Sequence, residues 1–271
     1  MSLPSPTVPT FEDTIPSTGR KVKYRPFLVK EEKLLLFTME SEPELPNQLG
    51  GIPFAQLPPE TKDELYKIEA EERKDWEDKV RETIKDILRA CIVSRVKIED
   101  LANFDLEYLF LKIRSASAGE VIKLKVVCKD DRETEVMTAI NLEEVQVHKP
   151  EGHSNKIMLS DDLGLVMKYP GIKQFIDVTL LNKSLDDTQE LFDMIADCVD
   201  QIFQGDEVWD AADTKKSEIV SFIEGMTQKQ FEKLQDFFTT MPKLYHDFTV
   251  VNPNTGVEST YRLEGLQSFF G

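Results

Sequence analysis

The stretch that decides the fold runs from Leu101 to Ile140: LANFDLEYLFLKIRSASAG (101–119), EVIKLKVVC (120–128), KDDR (129–132) and ETEVMTAI (133–140). Leu106, Leu109, Phe110 and Ile113 fall at i, i+3, i+4 and i+7, which predicts a helix with an apolar stripe, ended by Arg114 and Gly119. Ile122, Leu124, Val126 and Cys128 then alternate with Lys123 and Lys125, the period-2 pattern of a half-buried strand. After a tight polar turn, ETEVMTAI returns as the second strand of a ribbon. A cysteine at the tip of such a ribbon stands where a zinc ribbon has its first ligand. The expected second position, three residues on, holds Asp131.

Tetrahedral zinc takes N or S ligands, commonly two from each of two turns. The other candidate turn is Asn252-Pro253-Asn254-Thr255-Gly256, between LYHDFTVV and VESTYRLEG, and it carries neither Cys nor His. His246 lies on the strand before it rather than at the tip. Cys128 and Asp131 therefore read as degenerate knuckle positions, with no metal and no cofactor expected.

The fold class expected is α+β, with two zinc-ribbon-like hairpins lacking metal, a central helical block and an extended N-terminal arm. Residues 1–16, with prolines at 4, 6, 9 and 16, read as the arm. An edge strand and short helix follow over 17–40, the strand carried by Val22, Tyr24, Phe27 and Val29. Segment 41–59, with five prolines and adjacent Gly50 and Gly51, reads as a loop. A long helix and the first ribbon region take up 60–170, a helical region 171–243, and the C-terminal ribbon 244–271. The long helix is densely charged in its first half, which is expected to project or to be solvated. Its second half carries Val80, Ile84, Ile87, Leu88 and Cys91 at spacings of three and four, and is expected to pack. Leu191, Ile195, Cys198, Val199 and Ile202 predict one further helix; Thr227 with Gln230 predicts a capping box for another.

The net charge of −17 argues against a nucleic-acid partner, since phosphate contacts need a basic face. No window approaches the apolar length of a membrane span, and MSLPSPTVPT lacks the basic start and apolar run of a signal peptide. Cys91, Cys128 and Cys198, odd in number and widely spaced, predict free thiols in a reducing cytoplasm. His148, His153 and His246 belong to no HExxH, HxE or triad pattern, and no GxxxxGK[ST], GxGxxG or GxSxG is present. The pairs Asp130-Asp131, Asp161-Asp162 and Asp186-Asp187 sit in turns or at helix starts, where Asp is favoured for backbone reasons. What remains is binding. Tyr24, Phe27, Phe54, Trp76, Phe269 and Phe270 are candidate interface anchors; the competing reading of each is that it covers the chain's own core.

The order of parts resembles the baseplate hub-assembly proteins of T-even-type contractile-tailed phages. The resemblance is carried by IPSTGRKVKYRPFLVKEEKLLL from Ile15, LEYLFLKIRSASAGE, KLKVVC, VMKYP, Gly205-Asp206-Glu207-Val208-Trp209, SEIVSFIEGM and the last ribbon. It implies a noncatalytic role in building the central hub, with other hub or wedge proteins as partners. It also implies a location in the host cytoplasm during assembly and then in the tail baseplate. A chaperone-like factor absent from the finished virion is the alternative within the same biology, and self-association is left open. A thiol- or metal-dependent enzyme using Cys128 with His246 and the acidic turns is the alternative from another class. Some members of that family carry cysteines in both ribbon turns, which resembles a zinc knuckle. With Asp131 and Asn252-Pro253-Asn254 at those places, the two turns are expected to meet without an ion.

Overall fold

A computed structural model describes residues 6–181 and 188–269. Pro4, the Asp186-Asp187 pair and Phe270 lie outside the described residues. Strand β1 (Phe11–Thr14) pairs antiparallel with β2 (Lys21–Tyr24), so the end of the expected arm is half of a hairpin. Apolar anchoring accounts for the difference: the Phe11 ring stacks on Tyr24 at 5.8 Å, and Ile15 is fully buried. The strand expected to reach Val29 stops at Tyr24. Beyond Pro26, Val29 opens helix α1 (Val29–Glu40), whose start is capped when Glu31 reaches back to the Leu28 N–H at 2.6 Å.

A short hairpin, β3 (Gln48–Leu49) and β4 (Ile52–Pro53), occupies the Pro/Gly-rich segment. Helix α2 (Pro59–Cys91) starts with proline in its first turn, where the missing N–H is not needed. None of its residues before Trp76 is buried; from there Val80, Ile84, Ile87, Leu88 and Cys91 form the packed stripe. Helix α1 lies along this half, with the Trp76 Nε1–H donating to Thr38 O at 2.7 Å.

Helix α3 (Asn103–Ala118) is buried at every position from Phe104 to Ile113. The single stripe read from the sequence is thus one side of a helix enclosed all round, because Phe104, Tyr108 and Leu111 supply the opposite side. Its buried polar residues are each engaged. Asp105 accepts from Ser17 N–H, Ser17 Oγ and Ala102 N–H, which ties the N-terminal turn to the helix start. Lys112 reaches Glu143 at 3.0 Å, and Glu107 accepts from Thr179 Oγ1 at 3.0 Å. Gly119, at φ +106°, ends the helix.

The first ribbon is β5 (Val121–Val127) with β6 (Glu135–Asn141). Strand β7 (Gln146–His148) comes next, followed by β8 (Lys156–Met158) and β9 (Leu163–Met167). The chain then forms α4 (Ile172–Gln174), which continues into a π-helical turn over Phe175–Leu180, and α5 (Thr188–Asp197). The helix expected through Ile202 ends at Asp197. Val199 and Ile202 belong to β10 (Val199–Gln204), which pairs with β9 and with β11 (Glu207–Asp210). A four-stranded antiparallel sheet, ordered β11-β10-β9-β8, therefore crosses the boundary drawn at residue 170. Gly164 sits where a Cβ would lie 2.4 Å from the Phe203 ring and 2.6 Å from Ile157 O; only glycine lets that ring cross the sheet.

Helices α6 (Lys216–Glu224) and α7 (Gln228–Thr240) follow, the second with the expected Thr227–Gln230 capping box. The last ribbon, β12 (Lys243–Val251) and β13 (Glu258–Glu264), is widened by β7 into three strands. Apolar residues gather in two clusters. One surrounds α3 and the packed half of α2; the other lies between the four-stranded sheet and α5–α7. Tyr169 bridges them, with Phe104 at 4.9 Å and Phe237 at 5.6 Å.

Candidate functional site

The turns of the two ribbons meet, as the sequence leads one to expect, and they meet through polar groups. In the first turn the Cys128 N–H donates to Thr134 O at 2.8 Å and the Arg132 N–H to Cys128 O at 2.9 Å, closing the tip. Arg132 takes the left-handed conformation, φ +57°. The Asp131 carboxylate holds that geometry by accepting the backbone N–H groups of Glu133 and Thr134 and the Thr134 hydroxyl.

The second turn presents Asn252, which is 1% exposed. Its Oδ1 accepts from Asn254 N–H at 2.9 Å, which orients the amide and turns its NH₂ outward from the loop. That NH₂ donates to both oxygens of Asp130, at 3.0 and 3.1 Å, and to Asp131 Oδ2 at 2.9 Å. Thr255 Oγ1 also donates to Asp130, and Asn254 Nδ2 donates to Thr134 Oγ1 at 2.9 Å. Further along, the Tyr261 hydroxyl accepts from Lys129 N–H at 2.8 Å and donates to Val127 O at 3.0 Å. The Lys129 ammonium lies 4.5 Å from the Tyr261 ring centre. Phe248 stacks behind Tyr261 at 5.7 Å, from the opposite position in the ladder.

The electrostatics follow from these donors. Hydrogen bonds from Thr255 and Asn252 hold Asp130 below the usual carboxylate range, and those from Thr134, Asn252 and Glu133 hold Asp131 further down. Burial, with Asp130 and Asp131 behind it, pushes the Cys128 thiol up, so the sulfur stays protonated. The residues do not fit the zinc knuckle that the cysteines of some members of the resembled family suggest. The site has one protonated thiol and no imidazole, and an amide NH₂ faces the two carboxylates where a cation would face them. Among the described residues no group of three or more His, Cys, Asp or Glu is arranged to hold a metal ion.

The histidines lie elsewhere. His148 stacks on Tyr245 at 3.9 Å, and His153 stacks on Tyr169 beside Thr240. His246 pairs with Leu263, six residues before Asn252 and so about 20 Å along the strand. None of the three is within reach of Cys128 for the hydrogen bond a thiol nucleophile requires.

Of the aromatic residues singled out in the sequence, Tyr24, Trp76 and Phe269 are buried in the chain's own core, which removes them from the surface expected of an anchor. Phe27 packs edge-on against Phe110 at 5.5 Å, and half-buried Phe54 against Tyr66 at 5.6 Å. The residues that sequence reasoning missed are Asn252, Thr255, Thr134 and Tyr261. Each reads as an ordinary turn or strand residue, and only the run Asn-Pro-Asn-Thr-Gly hints at side chains free to bond outside their own loop.

A helix-centred α+β protein with its two ribbons fastened by amide–carboxylate bonds has the features of a structural protein. The chain belongs to the family described as T4 bacteriophage base plate protein, whose profile matches residues 8–49 and 57–271. No curated protein and no solved structure shows a significant match to it. Its partners are therefore other proteins of the phage baseplate, and no helix among the described residues is long and apolar enough to cross a membrane.

Proposed function

We propose that the chain is a noncatalytic component of the central hub of a contractile-tail baseplate, joining hub or wedge proteins through protein–protein contacts. It would fold in the host cytoplasm and pass into the virion. The observation that carries this reading is the match to the base plate family over nearly the whole chain, including both ribbons. The clasp formed by the two ribbon turns supports it: Asp130, Asp131 and Thr134 of the first turn bond Asn252, Asn254 and Thr255 of the second.

The contact surface proposed is the outer side of α1, the β3–β4 hairpin and the projecting half of α2. Leu36, Phe37, Leu49, Ile52, Tyr66 and Ile68 are exposed there, and Phe27 and Phe54 lie beside them half-covered. Exposed apolar side chains on a highly charged chain mark places where a partner removes water.

Co-expression with the other baseplate proteins tests the reading. The tagged chain is expected to co-purify with at least one hub or wedge protein, and Leu36→Glu with Phe37→Glu to abolish this without changing the melting temperature. Failure of the wild-type chain to associate with any of them would overturn the proposal. Mass spectrometry of purified virions then separates a resident subunit, present in stoichiometric amounts, from a factor that leaves before completion.

A further inference from the structure

Between the two apolar clusters lies a cleft of about 380 Å³, well within the size range of ligand sites. Its walls are apolar: Leu191, Met194 and Ile195 of α5, Phe231 and Phe238 of α7, and Val178. Helix α3 contributes Glu107 and, one turn earlier, Asn103. Glu107 is nine-tenths buried and accepts from Thr179 Oγ1 at 3.0 Å, and among the described residues no cation pairs with it. Asn103 Oδ1 is buried with no hydrogen-bond partner. The other polar lining groups are engaged or face solvent: Thr239 donates to Gln235 O, Gln174 accepts from Gly171, and Gln235 is exposed. Two acceptors thus line an apolar cleft, Asn103 Oδ1 without a donor and Glu107 with the Thr179 hydroxyl as its donor among the described residues.

We propose that this cleft binds an aliphatic cation, an ammonium or guanidinium on a short apolar stem, with the head on Glu107 and Asn103 and the stem against α5 and α7. This is the chemistry of a lysine or arginine side chain and equally of a free alkylamine. A buried carboxylate without a counter-charge is penalised by desolvation, and a cation entering the cleft relieves that penalty where a neutral ligand does not. Burial raises the Glu107 carboxyl to about 7, and Glu264 of β13 opposes its ionisation further. Lys243 of β12, which lines the adjoining depression, is held by Glu264 at 2.9 Å. The proposal does not depend on the hub role, and either can fail without the other.

The test is titration of the intact chain with butylguanidinium and butylammonium, followed by NMR shifts, with 1-butanol and butyrate as controls. Saturable binding of both cations is expected at pH 8. It should weaken about tenfold at pH 5.5, where Glu107 is protonated, and about tenfold at pH 8 in Glu107→Gln, as loss of one charge-assisted contact predicts. Equal binding of butanol, an unchanged affinity in Glu107→Gln, or no saturable cation binding would each overturn the assignment. The pH arm needs no substitution and so stands even if the variant folds poorly. A blocked Ala-Arg-Ala peptide, compared with butylguanidinium, distinguishes the sources. Tighter peptide binding assigns the cleft to a partner's side chain, and tighter binding of the free cation assigns it to a small molecule.

Discussion

The ribbon clasp and the α3 cleft both set carboxylates against the folded chain, and they do so in opposite ways. Asp130 and Asp131 are surrounded by N–H and O–H donors, which hold both below their usual range although they repel each other. Burial pushes the Glu107 carboxyl up to about 7, with one hydroxyl to hold it and a like charge in Glu264. The difference lies in donors rather than in residue type: a carboxylate is held ionised by the hydrogen bonds built for it, and burial without them favours the proton. The clasp is therefore a finished structural joint, whereas the cleft keeps an unmet demand for a donor.

The two regions consequently respond to pH with opposite sign. Glu107, with its folded value above its unfolded one, contributes stability that is complete below about pH 4 and lost as pH rises toward 7. Asp130 and Asp131, with folded values below their unfolded ones, contribute stability present above about pH 4 and lost as pH falls through the folded values. The largest expected effect is that of Glu107→Gln at pH 8, a gain of about 3 kcal/mol in urea unfolding, with the slope between pH 4 and 7 flattened. No gain would mean the carboxyl is not desolvated, and the contrast between the two regions would collapse.

Next in size is Asn252→Ala. It removes the donor that faces both aspartates and should cost about 2 kcal/mol. Amide exchange should quicken at 128–134 and 252–257 while the α3 core stays protected. Asn252→Asp should be worse at pH 7, where a third carboxylate faces the pair, and should recover part of the loss on mild acidification. Unchanged exchange in both variants would show that the clasp holds nothing. The smallest effects belong to Cys128. Cys128→Ser should change stability by no more than about 1 kcal/mol, a chelator should leave the melting temperature unchanged, and the native thiol should react slowly with thiol reagents. A chelator-induced loss would return the turn to metal chemistry.

What the sequence disclosed were the elements whose signals are local. The two ribbons, the two halves of α2 and the Thr227 cap are each written in a short run of residues, and each stands where its pattern puts it. The four-stranded sheet was not legible as a sheet, because β9 and β10 are separated by α4 and α5 and their pairing leaves no periodicity in either strand. Nor does a three-residue strand such as β7 announce that it will join β12. Helix α3 showed one stripe because the periodic template counts the best face, while full enclosure depends on what packs on the others. The meeting of the two turns was foreseen, but the chemistry holding them was not. Asn252 reads as a turn former, and only the tertiary fold brings its amide to Asp130, 122 positions away. Tyr24, Trp76 and Phe269 were ambiguous for a related reason: a large ring suits an interface and a core equally until its neighbours are known.

That separation along the chain gives the clasp a timing. Asp130 and Asp131 emerge early in synthesis and wait, two adjacent negative charges on a bare loop, until Thr255 has left the ribosome. The hydrogen bonds of the fastening all run between groups of the polypeptide itself. A chain cut short before Asn252 would lack the amide that faces both aspartates. The joint thus forms only after the second turn has been synthesised.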